Sequence, residues 1–583
     1  MADKLNISRR DFLNGVALSV AAGAALSPLE LLAAAEAKPG YYPPGLTGLR
    51  GSHPGSFEVA HAMALGGAKF DRPSRQTDTT YDLVVVGGGL SGLAAASLWR
   101  DKSGPDARIL VLDNHDDFGG HAKRNEFEID GQTLIGYGGS MSMESPGLYS
   151  ADVKALLAGI GVEPQRFYDY FDQAYFSRHG LRSAIHFGDA RYGEAATLPD
   201  VLRDWIWSAD RRDVEAVIDS YPLTKESKAS LLELLYAETD YLAGRTTGEK
   251  TELLRKTSYT DFLTGYAGAT DELALLIRDT SKSLWGFSWA SLSALEAYRL
   301  GQPGTYGMGL PASDDPFYTS EEPFIFHFPD GNAGIARALV RDLLPAAVPG
   351  TGMEDLVTAR VDYSRLDRAN PTRIRLNSTV VDVRHTEDQK HVDVTYVRTG
   401  ARVERVRARH VILACYNSVV PYICPDVGDA QRAAIEVSEK TPLTYINVAL
   451  RNWRAFDRLD CHRIFVPQAE LMHEIRLDFP VSMGEYRFSP GPDSPVVLHC
   501  VHSPTRWDPD LDFKSQLRAG RQRMLELTWD DYETTVVAEL ESALGGGGFD
   551  AADIAGITVN RWPHGYSREY VDLYDAPDFL ENG

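Results

Sequence analysis

The chain has 583 residues, 43% of them hydrophobic and 24% charged, which is the make-up of an ordinary globular protein with a sizeable core and room for several domains. A net charge of −23 at pH 7 argues against nucleic acid as a partner and agrees with a cationic ligand. The four cysteines, Cys415, Cys424, Cys461 and Cys500, form no CxxC or CxxCH, so neither a thiol redox pair nor covalently attached c-type haem is supported, and any disulfide pairing is left open.

Residues 1–37 read as a twin-arginine signal peptide. Ser8-Arg9-Arg10-Asp11-Phe12-Leu13 carries the arginine pair, Val16 to Leu26 is a weakly apolar run, and Ala35-Glu36-Ala37 is a candidate cleavage site. The run is too short and too rich in Ala and Gly to span a bilayer as a mature helix, so no stable membrane anchor is expected. Such a signal implies a folded passenger, the twin-arginine export machinery as a partner and a periplasmic location. It also implies a tightly held redox cofactor, FAD in preference to freely diffusing NAD.

Residues 38–80 form a Gly- and Pro-rich arm, with Tyr41-Tyr42-Pro43-Pro44-Gly45 and Gly51-Ser52-His53-Pro54-Gly55. A short helix over Phe57 to Leu65 is expected behind an N-cap at Ser56. His53, His61 and Met63 are haem ligands by residue type.

Residues 81–150 carry the strongest pattern. The run Leu83-Val84-Val85-Val86 leads into Gly87-Gly88-Gly89-Leu90-Ser91-Gly92 and an Ala-rich helix; Ile109-Leu110-Val111-Leu112 then ends in Asp113, 21 positions after Gly92. Strand, glycine turn, helix, strand and terminal carboxylate together form a dinucleotide-binding βαβ unit. Gly87 permits the turn, Gly89 lets a pyrophosphate approach, Gly92 lets helix and strand pack, and the helix N-terminus near Leu90 faces the phosphates. Asp113 is placed to accept from a ribose diol. Two glycine-rich loops follow, Asp116-Asp117-Phe118-Gly119-Gly120-His121 and Ile135-Gly136-Tyr137-Gly138-Gly139-Ser140-Met141, separated by a hairpin turning at Asp130-Gly131.

Residues 151–325 read as an inserted helical part of a substrate domain, dense in aromatics. Residues 326–430 return to the nucleotide-binding domain, with a turn at Pro329 feeding a helix over Ile335 to Leu344. Strands are expected over Ile374 to Leu376, Val380 to Val383, Val392 to Val397, Val403 to Val406 and, separately, His410 to Ala414. Residues 431–556 resume the substrate domain, with strands over Leu443 to Leu450 and Val496 to Val501 and one long helical stretch from Phe513 to Leu544. His499 and His502 would point to opposite faces of their strand, which disfavours a metal site. Residues 557–583 are expected to deliver Trp562, Tyr566 and Tyr570 from a strand into a closing loop. The fold class is therefore α/β: a Rossmann-like FAD-binding domain interleaved with an α+β substrate domain.

The GxGxxG unit, Asp113, Gly119-Gly120, the turn and helix at Pro329, the Val380-Val381 strand and the Arg561-Trp562 segment, in that order, resemble the flavin amine oxidase superfamily from Tyr81 onward. The resemblance implies FAD held by Gly87, Gly89, Ser91, Gly92 and Asp113 on the adenosine and pyrophosphate side. Gly120, His121, Gly138 and Gly139 would lie at the flavin half, and Val381 or its neighbour at the adenine. Trp562 and Tyr566 match the aromatic positions that flank a substrate amine. The likeness further implies a polyamine substrate such as spermidine, haem b with His53 and His61 as iron ligands, and an electron acceptor such as a quinone or cytochrome. Two departures stand. Tyr445-Ile446-Asn447-Val448 occupies the strand where the family's lysine is expected, and the family's closing Gly-containing segment has no counterpart before Gly583, from truncation or looser cover of the flavin.

The chemistry so implied is hydride loss from the carbon beside a neutral amine nitrogen to flavin N5, then hydrolysis of the imine to an aminoaldehyde and a diamine. The other readings are a flavin-dependent desaturase of an apolar polyene and a non-catalytic flavin or haem carrier.

Overall fold

A computed structural model describes residues 40–203, 210–313, 319–368, 370–398, 402–567 and 570–575. The signal-peptide expectation at 1–37 and the end of the chain from 576 lie outside the described residues.

In chain order, β1 (Gly48–Gly51) and α1 (Glu58–Ala64) precede β2 (Tyr81–Val86), α2 (Leu90–Ser103) and β3 (Ile109–Leu112). β2 and β3 pair in parallel, Leu83 opposite Ile109 and Val86 opposite Leu112. All four residues of β3 are buried, as continuous apolar runs must be in a parallel sheet covered on both faces. A hairpin follows, β4 (Arg124–Ile129) and β5 (Gln132–Tyr137). Its turn has φ 51° at Asp130 and 82° at Gly131, the left-handed pair that a two-residue hairpin takes. The described residues of 151–313 are largely helical, as expected, but include the strands β6 (Arg182–Phe187) and β7 (Ala196–Pro199).

The helix α3 (Ala333–Leu343) then packs on α2, and β8 (Thr372–Arg375), β9 (Ser378–His385), β10 (Val392–Arg398) and β11 (Arg402–Leu413) complete a six-stranded sheet in the order β8-β3-β2-β11-β10-β9. The strands expected over Val403–Val406 and His410–Ala414 are one. The first half of β11 pairs antiparallel with β10 and its second half parallel with β2. No turn residue stands between the halves, so nothing in Arg407-Ala408-Arg409 ends the strand.

The remaining elements are β12 (Lys440–Leu450), β13 (Cys461–Phe465), β14 (Glu474–Leu477), β15 (Val496–His502), the helices α4 (Phe513–Glu526) and α5 (Trp529–Leu544), and β16 (Ile554–Ser567). The helical stretch expected to run unbroken from Phe513 divides at Thr528. That side chain accepts from Asp531 N–H while the Asp531 carboxylate takes Thr528 N–H, a capping box that starts a new helix. β16 also runs further than expected, so Trp562 and Tyr566 lie in a strand and not in a loop.

These strands form an eight-stranded sheet in the order β1-β16-β12-β15-β14-β13-β6-β7. Both edges come from segments without a strand signal. β1 is only Gly-Leu-Arg-Gly, too short to show a period, yet it pairs in parallel with β16 from Gly48 opposite Thr558 to Gly51 opposite Arg561. The arm is therefore the last strand of this sheet. Ser56 does not cap α1: its Oγ donates to His53 O, and the Glu58 carboxylate takes Gly55 N–H instead. All four cysteines are free thiols. Among the described residues no helix is long and apolar enough to cross a membrane.

Candidate functional site

The loop between β2 and α2 is built as a cradle, and its glycines separate by cause. Gly87 has φ +109°, and a Cβ there would run into Ala414 O, while a Cβ at Gly92 would run into Gly87 O. The fold itself demands both. Gly89 is different: its φ is −73°, and the nearest atom to an added Cβ is Gly120 Cα at 3.7 Å. Neither backbone conformation nor packing forbids a side chain at 89, so its small size is left for a ligand's approach. No side chain caps α2 at Gly89, and the first-turn N–H groups of this helix face that approach with the positive end of its dipole. Ser91 sits exposed in this first turn.

Asp113 stands at the end of β3, 5% exposed. Its Oδ2 accepts Gly88 N–H at 2.6 Å and its Oδ1 accepts His115 N–H at 2.8 Å. Burial pushes its pKa up, but His115 and Lys123 outweigh that and hold the carboxyl below its usual range. It is a buried carboxylate with lone pairs to spare, as a ribose diol requires. Val381 lies in a bulge of β9 opposite Thr395 and Tyr396 and packs with Val86 and Leu112, the last residues of β2 and β3. That places it beside the ends of β2 and β3, where the resemblance expects the adenine.

The second glycine loop closes on the first. Gly119 N–H donates to Gly88 O at 2.8 Å, Gly89 and Gly119 form a parallel bridge, and Gly120 takes φ +60°. His121 follows, with its ring edge-on to Trp562 at 4.8 Å and its Nε2 3.0 Å from the Tyr416 hydroxyl. Burial, with His115 and Lys123 nearby, lowers His121 to about 4, so its imidazole is neutral at pH 7. Trp562 is 1% exposed and its Nε1 donates to Gly138 O at 2.7 Å. A Cβ at Gly138 would stand 2.5 Å from Asn560 Oδ1, and one at Gly139 would run into His121 O. The structure thus brings Gly89, Gly120, His121, Gly138, Gly139 and Trp562 into one continuous wall, in which Gly138 and Gly139 are already required by the protein's own packing. For FAD the residues fit: an uncapped helix start, an unexplained glycine at 89, a buried carboxylate at Asp113, 21 residues after Gly92, and an aromatic wall at the far end.

Tyr566 lies beyond Trp562 on β16, 39% exposed. Its hydroxyl is 2.8 Å from that of Tyr445, and Tyr445 packs with Trp562. From Tyr445 a further ring series runs inward, all of it missed in the sequence. His499 lies 5.0 Å from Tyr445 and stacks on Tyr137 at 4.0 Å, and His327 sits 4.9 Å from Tyr137 and 4.5 Å from Phe479. Arg476 covers Phe479 at 4.6 Å and donates to the Tyr137 hydroxyl at 2.5 Å. Neither ring nitrogen of His327 has a partner among the described residues; burial and Arg476 lower it to about 3. The available signal was the pairing of β12 with β15, which sets Asn447 opposite His499 and Tyr445 opposite Val501. That register is not written in either strand alone. Where the resemblance puts a lysine, the Asn447 amide donates to Asn125 Oδ1 at 2.7 Å and Tyr137 O at 2.9 Å.

The two candidate haem histidines have different surroundings. His53 is held by its Nδ1 at 2.9 Å from Gly51 O, points Nε2 towards Asp116 at 3.6 Å and lies 5.9 Å from the His115 ring. His61 packs on Phe57 at 5.1 Å. His53 thus lies beside the Arg50–Asp116 cluster, in which Arg50 donates to both oxygens of Asp116 at 2.7 and 2.9 Å, and its Nε2 has no hydrogen-bond partner among the described residues. No contact joins His53 to His61 among the described residues, so the structure lends the haem reading no support. Among the described residues no group of three His, Cys, Asp or Glu side chains is arranged to hold a metal.

Residues 85–158 match the NAD(P)-binding Rossmann-like domain. No curated protein sequence matches the chain. Among solved structures, the chain is similar to putrescine oxidase bound to putrescine, at 16% identity over 84% of this chain and 87% of that one, TM-score 0.44. It is also similar to cyclohexylamine oxidase from Brevibacterium oxydans IH-35A, at 15% identity over 83% and 85%, TM-score 0.45. A third is the CLA-producing fatty acid isomerase from P. acnes, at 13% identity over 83% and 86%, TM-score 0.41. The mixed α/β fold with its Rossmann-like unit is as expected.

Proposed function

We propose that this chain is an FAD-dependent amine dehydrogenase of the flavin amine oxidase superfamily, similar to bacterial spermidine dehydrogenase and acting on a polyamine such as spermidine. The observation that carries the reading is the continuity of the wall: the Gly89 cradle meets Gly120, His121 follows, and Trp562 lies against His121 over Gly138-Gly139. A dinucleotide seated on the cradle has an aromatic enclosure at its far end.

FAD, when bound, supplies the two-electron acceptor for a hydride from the carbon beside the amine nitrogen. The chain's own residues do the rest. Trp562 is fixed in orientation by its hydrogen bond to Gly138 O and offers a ring face to the substrate amine, with Tyr445 and Tyr566 beside it. His121 stays neutral and adds no positive charge against a cationic substrate. Burial of Trp562 and Tyr445 keeps water from the reacting carbon. Electrons leave to an external acceptor such as a quinone or cytochrome, and export in the folded state through the twin-arginine machinery places the reaction in the periplasm.

Anaerobic addition of spermidine to the purified flavoprotein is expected to bleach the flavin band. A spectrum unchanged by putrescine, spermidine and spermine alike refutes the amine reading. Fractionation of cells producing the full chain and an Arg9→Lys/Arg10→Lys variant tests export: only the parent should reach the periplasm.

A further inference from the structure

Across the rung of the sheet that carries Trp562, two hydroxyls meet. In the pairing of β12 with β16, Leu443 stands opposite Trp562, Tyr445 opposite Asn560 and Thr441 opposite Tyr566. Tyr445 and the partner of Tyr566 therefore flank the Trp562 rung, each two residues of β12 away from Leu443. The two tyrosines lean towards each other, their hydroxyls 2.8 Å apart, and Tyr445 packs with Trp562. The register thus sets the hydroxyl pair at the level of the Trp562 ring and not beyond it.

The two hydroxyls are not equivalent. Tyr445 is buried and Tyr566 is exposed. Burial raises the Tyr445 pKa well above its usual range, so the group stays a neutral O–H. Among the described residues Tyr566 is the one hydrogen-bond partner of that hydroxyl, whereas water reaches Tyr566. A buried O–H without an acceptor is costly, so Tyr445 donates to Tyr566. That order leaves the Tyr445 oxygen with lone pairs to offer, and donating to Tyr566 makes the same oxygen a stronger acceptor. The groups around it do not compete. The His499 ring, 5.0 Å away, is neutral because burial holds its pKa well below the usual range. Arg476 donates to the Tyr137 hydroxyl and lies 3.6 Å from Glu474.

An acceptor at this place fits the chemistry. Hydride loss from the neighbouring carbon needs the lone pair of the reacting nitrogen, and a hydroxyl that donated to that nitrogen would tie the lone pair up. An oxygen that takes an N–H holds the nitrogen at the Trp562 face and leaves its lone pair free. We propose that Tyr445, oriented by Tyr566, accepts an N–H of the reacting nitrogen and so restricts the substrates to primary and secondary amines. The assignment rests on the amine reading above and adds to it the feature of the nitrogen that is selected.

The test compares two cations of one size and one charge: tert-butylammonium, with three N–H donors, and tetramethylammonium, with none. Neither loses hydride to the flavin, since the first has no hydrogen on the carbon beside nitrogen and the second has no lone pair. Each is titrated at pH 8 into the parent flavoprotein and into Tyr445→Phe, read by the visible flavin spectrum and by calorimetry. Tyr445→Phe should bind tert-butylammonium on the order of 10- to 100-fold more weakly, the span of a hydrogen bond from a charged donor, and tetramethylammonium within about twofold of the parent. A readout free of any variant mixes the parent, without oxygen, with spermidine or with spermidine methylated until every nitrogen is tertiary; only the first should bleach the flavin. Equal weakening of both cations in Tyr445→Phe, no weakening of either, or bleaching by the methylated amine at the rate of spermidine each overturn the acceptor. If tert-butylammonium alone is weakened but no polyamine bleaches the flavin, the acceptor stands and the dehydrogenase reading falls. A parent that binds neither cation overturns the acceptor, and one that spermidine also fails to bleach sinks the amine reading with it.

Discussion

The contrast between Gly89 and Gly92 separates what the fold needs from what a ligand needs. Gly92→Ala places a methyl into Gly87 O and 3.2 Å from Val85 Cγ1, with backbone on one side and a fully buried strand residue on the other. Overpacking of this kind costs about 1–3 kcal/mol and more where backbone must move. Gly89→Ala meets nothing nearer than 3.7 Å at an ordinary φ of −73°. Loss of chain freedom in the unfolded state favours that change by about 0.4–1 kcal/mol, and the poorer N-cap removes a similar amount. The apoprotein's stability should therefore stay within about 1 kcal/mol of the parent, while the new methyl stands where the pyrophosphate comes closest. The assay pairs thermal unfolding of both apoproteins with the ratio of flavin to protein absorbance after reconstitution with FAD. Gly92→Ala should melt early. Gly89→Ala should melt normally and take up little flavin. Full flavin occupancy in Gly89→Ala, or an apoprotein as fragile as Gly92→Ala, refutes the assignment of that glycine to ligand approach.

Arg50→Met leaves Asp116 buried without its bidentate partner, and breaking one side of such a pair costs about 3–5 kcal/mol. Chaotrope unfolding should show most of that loss, and a cycle with Asp116→Asn should show strong coupling; independent effects would mean the pair does not tie the arm to the nucleotide unit. Acid should destabilise the protein through its buried neutral histidines. His53, His327 and His502 are lowered to about 3 and His186 to about 4, burial being the largest cause in each. The unfolded state takes up their protons first, so the contribution is intact above about pH 6.5 and is lost as pH falls from there towards 4, at roughly 1.4 kcal/mol per pH unit for each proton. A flat stability profile over that window contradicts the burial of these rings. Trp562→Phe keeps a ring but loses the hydrogen bond to Gly138 O, so amine turnover should fall on the order of 10-fold with flavin content unchanged. Unaltered turnover removes Trp562 from the substrate wall.

The nucleotide half was legible because its signals are local. An apolar run, three spaced glycines and Asp113 lie within Leu83 to Asp113, and each residue's role follows from neighbours a few positions away. Gly120 and His121 could be placed next to them for the same reason. The ring series on the other side was not, because its residues meet only through the register of the eight-stranded sheet. Tyr137, His327, Tyr445, Arg476 and His499 come from five separate segments, and no one of those segments has a pattern that distinguishes a site residue from a core residue. The arm illustrates the same limit from the other side. Its histidines drew attention as metal ligands by type, while Gly48-Leu49-Arg50-Gly51 carried no period and so gave no sign of the strand it forms beside β16. Yet that short strand is what brings Arg50 to Asp116, three residues before Gly119, with Tyr41 as a second donor to the same carboxylate. The arm therefore belongs to both halves of the protein: by backbone pairing to the sheet that carries Trp562, and by side chains to the loop that completes the cradle. A segment that joins the two walls of a site fixes their spacing, and a change in Arg50 should be felt in flavin retention as well as in stability.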